Sequence, residues 1–358
     1  MFEEITEHCK QVIIPYWEEL MDRRNGGFYG LVDYNLQRDE TADKGVILNS
    51  RILYFFSRAA LVYEERELLE YADWAYHFLV EKCWDEENGG VYWMMTFDGQ
   101  VKESMKHTYN QAFAIYALSA YYEVTGKKEA LWRALALFRL IEKNCVDEYG
   151  YLEAFTRDWK LIDNEKLSEN GLLADKTMNT LLHLLEAYTL LYHVSEDEAV
   201  AERLRFILEL FYTKVWNPGE GRLEVFFNCK MESIADLYSY GHDIEASWLL
   251  DEAYRVLGES APGHYTDVIA ERIYRRALHG GNVWNECFKG VVDVTKVWWV
   301  QAEAVVGFVN AYEKTGNVKY RVAAVEIWEY IQRYFVDKRP GGEWFWDLDE
   351  NNRPGSKK

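Results

Sequence analysis

Two stretches of this chain place acid–base side chains at helical spacing inside apolar runs. Between Asp175 and Val194, Leu181, Leu182, Leu184, Leu185, Leu190 and Leu191 wall a segment in which Asn179, His183 and Glu186 stand at i, i+4 and i+7, on one stripe. A helix walled by leucine does not offer such a stripe to bulk water, so the stripe is expected to face an internal polar cavity. A second helix begins near Ser239 and sets His242 and Glu245 one turn apart. Histidine is the side chain best poised for proton transfer near neutrality, and a carboxylate one turn away can fix the tautomer and orientation of its ring. His242, His183 and Glu245 are therefore the candidate catalytic groups, with a merely structural histidine as the alternative for each pair. The same two pairs could hold a divalent ion, but the order His-x-x-Glu reverses that of di-metal helix bundles, and no metal is assigned.

Other helical runs supply binding chemistry. Arg51 lies within Ile47-Leu48-Asn49-Ser50-Arg51-Ile52, Tyr109 and Asn110 within Lys106-His107-Thr108-Tyr109-Asn110-Gln111, and Trp298, Trp299 and Glu303 within one further segment. An arginine in so apolar a run needs a ligand or an ionic partner. It either donates to hydroxyls or a developing oxyanion, or closes a buried ion pair. Adjacent Trp298 and Trp299 cannot share a helix face, so one is expected to stack on ligand while its neighbour packs. The chain holds 14 Trp, 26 Tyr and 17 Phe, 16% of its residues, which suits a polar ligand with apolar faces such as a sugar; an aromatic-rich core is the alternative.

These residues must be positioned by a repeating scaffold. A Gly-aromatic turn recurs six times, around Gly27, Gly90, Gly150, Gly221, Gly281 and Gly342, at steps of about 60 to 70 residues. Each step holds two helices of about 18 residues plus loops. Helical apolar spacing covers segments near 3 to 21, 45 to 63, 66 to 82, 108 to 125, 128 to 144, 175 to 194, 197 to 215, 241 to 257, 264 to 278, 297 to 315 and 317 to 336. Six pairs with no polar capping repeat favour a closed ring over an open solenoid. The expected fold is all-α, a single (α/α)6 barrel over residues 1–358 with alternating inner and outer helices. Eleven helical segments are readable where such a ring needs twelve, so the expectation is a truncated barrel without its last inner helix.

Composition excludes several classes. A formal net charge of −20, a pI near 4.9 and no run of Lys or Arg leave nothing to neutralise a phosphate backbone or an anionic membrane surface, so nucleic acid and membrane are not expected partners. No stretch approaches a membrane span, and Met1-Phe2-Glu3-Glu4 lacks the pattern of an export signal, which points to a cytosolic protein. A monomer is expected. The five cysteines are scattered and odd in number, and read as reduced packing residues.

Several long motifs, in order, carry a resemblance over essentially the whole chain: Asp43-Lys44-Gly45-Val46-Ile47-Leu48-Asn49-Ser50-Arg51, Lys106-His107-Thr108-Tyr109-Asn110-Gln111-Ala112-Phe113, Asp175-Lys176-Thr177-Met178-Asn179, Tyr240-Gly241-His242-Asp243-Ile244-Glu245 and Trp298-Trp299-Val300-Gln301-Ala302-Glu303-Ala304. Together they resemble the N-acylglucosamine 2-epimerase superfamily, most closely its cellobiose 2-epimerase branch. The resemblance implies an (α/α)6 barrel and a cofactor-independent inversion at C2 of the reducing-end glucose of a β-1,4-linked disaccharide. An opened sugar has an acidic C2 proton, which one imidazole removes to form an enediol and a second returns to the other face. It assigns one of those imidazoles to His242, with Glu245 beside it. Arg51, Tyr109, Asn179, His183 and one of Trp298 or Trp299 fall on sugar-contacting positions, and Trp344 on a cleft wall. The family's second catalytic histidine follows the Gly-Gly-Glu-Trp turn, and no histidine here lies beyond His279.

Overall fold

The computed structural model describes residues 1–166 and 172–356. Its helices are α1 (residues 2–19), α2 (Val46–Tyr63), α3 (Leu69–Glu81), α4 (Thr108–Thr125), α5 (Lys128–Asn144), α6 (Met178–Ser195), α7 (Glu198–Leu210), α8 (Tyr240–Leu257), α9 (Tyr265–Arg276), α10 (Trp298–Thr315) and α11 (Val318–Tyr330). The expected helical segments are all present, their starts within about three residues, and α7 and α11 stop short of their expected ends because the last turns continue as π-helix over Phe211–Val215 and Ile331–Phe335. The even-numbered helices α2 to α10 form the inner ring and the odd-numbered ones the outer ring, so the described residues hold five inner and six outer helices. None of the helices is long and apolar enough to cross a membrane.

All five inner helices have 18 residues, about 27 Å of axis. Each ends on a residue in the left-handed conformation, Glu64, Gly126, Glu196, Gly258 or Gly316, which turns the chain outward into its partner. The outer helices are amphipathic: α5 buries Ala130, Ala134, Leu137, Phe138 and Ile141, one stripe at helical spacing. The inner helices are buried on most of their circumference and approach closely. Gly307 of α10 lies against α8 so tightly that a Cβ there would come 2.6 Å from the Ile244 side chain.

The Gly-aromatic turns are held from the inner helices by one recurring device. The fourth residue of α2, α4, α8 and α10 reaches the backbone of the preceding turn: Asn49 Oδ1 accepts from Phe28 N (2.9 Å), Gln111 Oε1 from Val91 N (2.8 Å), Asp243 Oδ1 from Leu223 N (3.1 Å) and Gln301 Oε1 from Val283 N (2.8 Å). The two glutamines also donate to the carbonyls of Val91 and Val283, both at 2.8 Å. In α6 the equivalent residue is Leu181. A second device pairs the lysine two residues before an inner helix with the aspartate of the preceding turn: Lys44 with Asp22 (2.6 Å), Lys106 with Asp85 (3.0 Å) and Lys176 with Asp147 (2.5 Å).

Gln111 is fully buried, so Gln111→Leu strands a donor and an acceptor of the Val91 backbone. Each stranded group costs about 1–3 kcal/mol, and a drop of roughly 2–4 kcal/mol in denaturant unfolding is expected. An unchanged midpoint would show that the turn does not depend on this amide.

Among the described residues there are seven small sheets with strands of two or three residues; five stitch the segment before an inner helix to a neighbouring turn, as in Lys106–His107 against Ala154–Phe155, and two close the turns around Gly221 and Gly281. They were not expected from the sequence, because runs this short carry no readable alternation.

Candidate active site

Equal length and equal capping bring the inner helices into register, and the register arranges the chemistry in layers. The sixth residues of α2, α4, α6, α8 and α10 are Arg51, Phe113, His183, Glu245 and Glu303. The Arg51 guanidinium lies 4.7 Å from the Phe113 ring centroid, and Phe113 lies 4.6 Å from the His183 ring, so these three stack in a row. The second residues form the layer above, with Tyr109, Asn179 and Trp299. The ninth residues form the layer below: Tyr54 and Tyr116 stack at 4.1 Å, Glu186 accepts from His183, and Trp248 Nε1 donates to Glu303 (2.9 Å).

His183 and Glu186 behave as their spacing predicts. His183 Nδ1 lies 2.9 Å from Glu186 Oε2, which sets Nδ1 as donor and leaves Nε2 bare toward its other neighbours. Tyr109 presents its ring edge-on to His183 at 5.0 Å, and the Asn179 amide faces its phenol oxygen on the donor side. Burial pushes the Tyr109 phenol up to about 12, so it is a neutral donor at any physiological pH.

His242 and Glu245 correct the expectation. No hydrogen bond joins them; His242 Nδ1 is sealed from solvent without a partner, and the ring is oriented by Trp299, at 4.7 Å. Trp299 can lie there because its neighbour across the helices is Gly241, where a Cβ would come 2.6 Å from the indole. Burial, with a contribution from His183, pushes the His242 imidazole down to about 3, so the ring is neutral, with its lone pair unprotonated, at neutral pH. Burial also lifts Glu245 well above the usual carboxylate range and Glu303 to about 7, each reinforced by neighbouring carboxylates and opposed by Arg51.

Arg51 decides between its two expected roles. It is exposed to the cavity and makes no ion pair or hydrogen bond with the described residues, so the buried-ion-pair alternative does not apply. Asn110 is a correction: it is fully buried and its amide donates to the Tyr92 carbonyl (2.7 Å), which spends it on a turn. Trp298 and Trp299 diverge as adjacent residues must, Trp298 packing edge-on to Trp344 and Trp346, both at 6.4 Å. Trp344 donates from Nε1 to Nε2 of His8 on α1 (2.7 Å), a partner that the sequence offered no means of pairing with it. Phe113, Tyr54, Tyr116 and Trp248 were also missed as cavity residues. Their signal was legible in principle, as equal offsets from the starts of helices of equal length.

A ring of helix pairs whose polar residues gather at the N-terminal turns of the inner helices defines the class: an α/α toroid with a central polar cleft. The N-acylglucosamine 2-epimerase (GlcNAc 2-epimerase) family model matches residues 26–358. The cellobiose 2-epimerase of Ruminococcus albus is 51% identical over 358 residues, covering 99% of this chain and 92% of its own, and that of Dictyoglomus turgidum is 44% identical, covering 98% and 91%. The solved structure of cellobiose 2-epimerase from Bacillus thermoamylovorans superposes with a TM-score of 0.97 at 45% identity, covering 99% of this chain and 93% of its own. A D-mannose isomerase structure shares the fold at a TM-score of 0.85 and 19% identity. This chain belongs to the N-acylglucosamine 2-epimerase family.

Proposed function

We propose that the chain inverts C2 of the reducing-end glucose in β-1,4-linked disaccharides such as cellobiose and lactose, giving the mannose-ended products. The observation that carries this assignment is that a neutral imidazole, His242, and an unpaired guanidinium, Arg51, both border His183, the first through its electrostatic coupling to that ring and the second through the Phe113 ring stacked between them. The names and full-length similarity of the relatives support it. In the opened sugar the C1 carbonyl acidifies the C2 proton. His242 takes that proton through Nε2, because Nδ1 is sealed, and the electron pair moves onto the carbonyl oxygen to form an enediolate beside an imidazolium. Arg51 donates to that oxygen as its negative charge develops. Return of a proton to the opposite face completes the inversion, and His183, held by Glu186 with Nε2 bare, is the second imidazole available in the cavity for ring opening and proton return. Tyr109 and Asn179 bind hydroxyls, Trp299 stacks on a sugar face, and Trp298 and Trp344 wall the cleft. Glu245 and Glu303 supply carboxyl groups below the sugar, and no cofactor takes part. All these groups come from one chain, so no second copy is required.

Incubating the purified chain with cellobiose in D2O containing EDTA, followed by NMR, tests this. The expected product carries deuterium at C2, an intact glycosidic bond and a mannose reducing end. Free glucose would indicate a hydrolase, a ketose an isomerase, and an unchanged spectrum a protein without this activity.

A further inference from the structure

Tyr109 and Asn179 meet in the cavity from two different helices, each as the second residue of its helix. The residue two places before each, His107 and Thr177, precedes the helix and is buried. A single hydrogen-bonded chain joins these two positions. Tyr109 N donates to His107 Nδ1 (3.2 Å), which leaves the ring proton on Nε2. His107 Nε2 then donates to Asn164 Oδ1 (3.1 Å), and Asn164 Nδ2 donates to Glu153 Oε2 (2.7 Å). From the other side, Thr177 N donates to Glu153 Oε1. Every donor therefore points toward Glu153, and only a group that accepts on both oxygens can end the chain. Glu153 and His107 are 1% and 0% exposed, so no bulk water substitutes for a lost partner.

Asn164 lies in the long connection between Phe155 and Lys176, and its described neighbours Asp163, Glu165 and Lys166 are all exposed while its own side chain turns inward. Nothing in the mechanism above uses it. We propose that Asn164, bridging His107 and Glu153, is a positioning residue that sets the first turns of α4 and α6 relative to each other, and with them Tyr109, Asn179 and His183, so that this connecting loop tunes sugar binding. This rests on the epimerase assignment for its substrate.

Asn164→Ala removes the bridge and leaves His107 Nε2 and Glu153 each short of a partner. Loss of about one hydrogen bond predicts a KM for cellobiose raised roughly fivefold or more and a smaller fall in kcat, since His242 and Arg51 lie on other helices while His183 shares its helix with Asn179. Amide exchange at Tyr109 and Thr177 is expected to quicken in the same variant, and a general loss of stability would instead quicken exchange throughout the barrel. Asn164→Asp, of equal size, keeps the acceptor for His107 but sets a carboxylate against Glu153; it is expected to raise KM and quicken the same two amides, and serves if the alanine variant does not fold. Glu153→Gln reverses the donor direction at the chain's end. Its effect combined with Asn164→Ala is expected to be far less than additive. Parental KM and parental protection at Tyr109 and Thr177 in folded Asn164 variants would overturn the proposal. A parent chain that does not turn over cellobiose would refute the epimerase assignment, and exchange at the two amides would then decide the positioning role alone.

Discussion

His242→Asn is expected to remove C2 epimerisation, with kcat lowered at least about 10²-fold, because the amide keeps much of the ring's shape and cannot carry a proton. The structure sharpens the reason. His242 is neutral through burial and is oriented by the Trp299 ring, with no carboxylate bonded to it. Its basicity is thus set by desolvation, and the substitution should leave its neighbours in place. Exchange of the C2 proton into D2O is the direct readout. A variant that retains activity within tenfold of the parent, with unaltered circular dichroism, would remove His242 from the role of acid–base group.

Arg51→Ala is expected to lower kcat by about 10²-fold or more, the usual size of losing a preorganised donor to a developing oxyanion. Thermal unfolding should barely change, because the guanidinium is exposed and no ion pair or hydrogen bond to a described residue is lost with it. The substitution has a second effect. Arg51 is the cation that opposes the upward shift of Glu245 and Glu303, so its removal raises both carboxyls further and leaves them more fully protonated at neutral pH. Arg51→Lys, which restores a charge without the planar fork, should recover part of the loss. A large fall in melting temperature with Arg51→Ala would show a structural role in place of the catalytic one.

Much of the cavity was legible because helix periodicity is a local property. Asn179, His183 and Glu186 share a stripe by spacing alone, and the His183–Glu186 bond follows from it. The same local rule misled at His242 and Glu245, where equal proximity in sequence produced no bond. There the outcome turned on a neighbouring helix: Trp299 of α10 packs onto Gly241 and takes the contact that Glu245 was expected to make. Asn110 shows the reverse. Its motif suggested a ligand contact, while the turn from the preceding repeat captured its amide.

Turn chemistry and apolar period act over a few residues, so the six turns, the paired helices and an all-α ring could be read directly from residue order. Tertiary structure alone decided which side chains share a depth. The alignment of Arg51, Phe113, His183, Glu245 and Glu303 in one layer depends on five helices having the same length and starting from turns held at the same height. Burial did the rest: a histidine that any peptide would half-protonate near pH 6.5 becomes neutral, and a glutamate that would be ionised is pushed toward its acid form, only once the surrounding helices have taken water away.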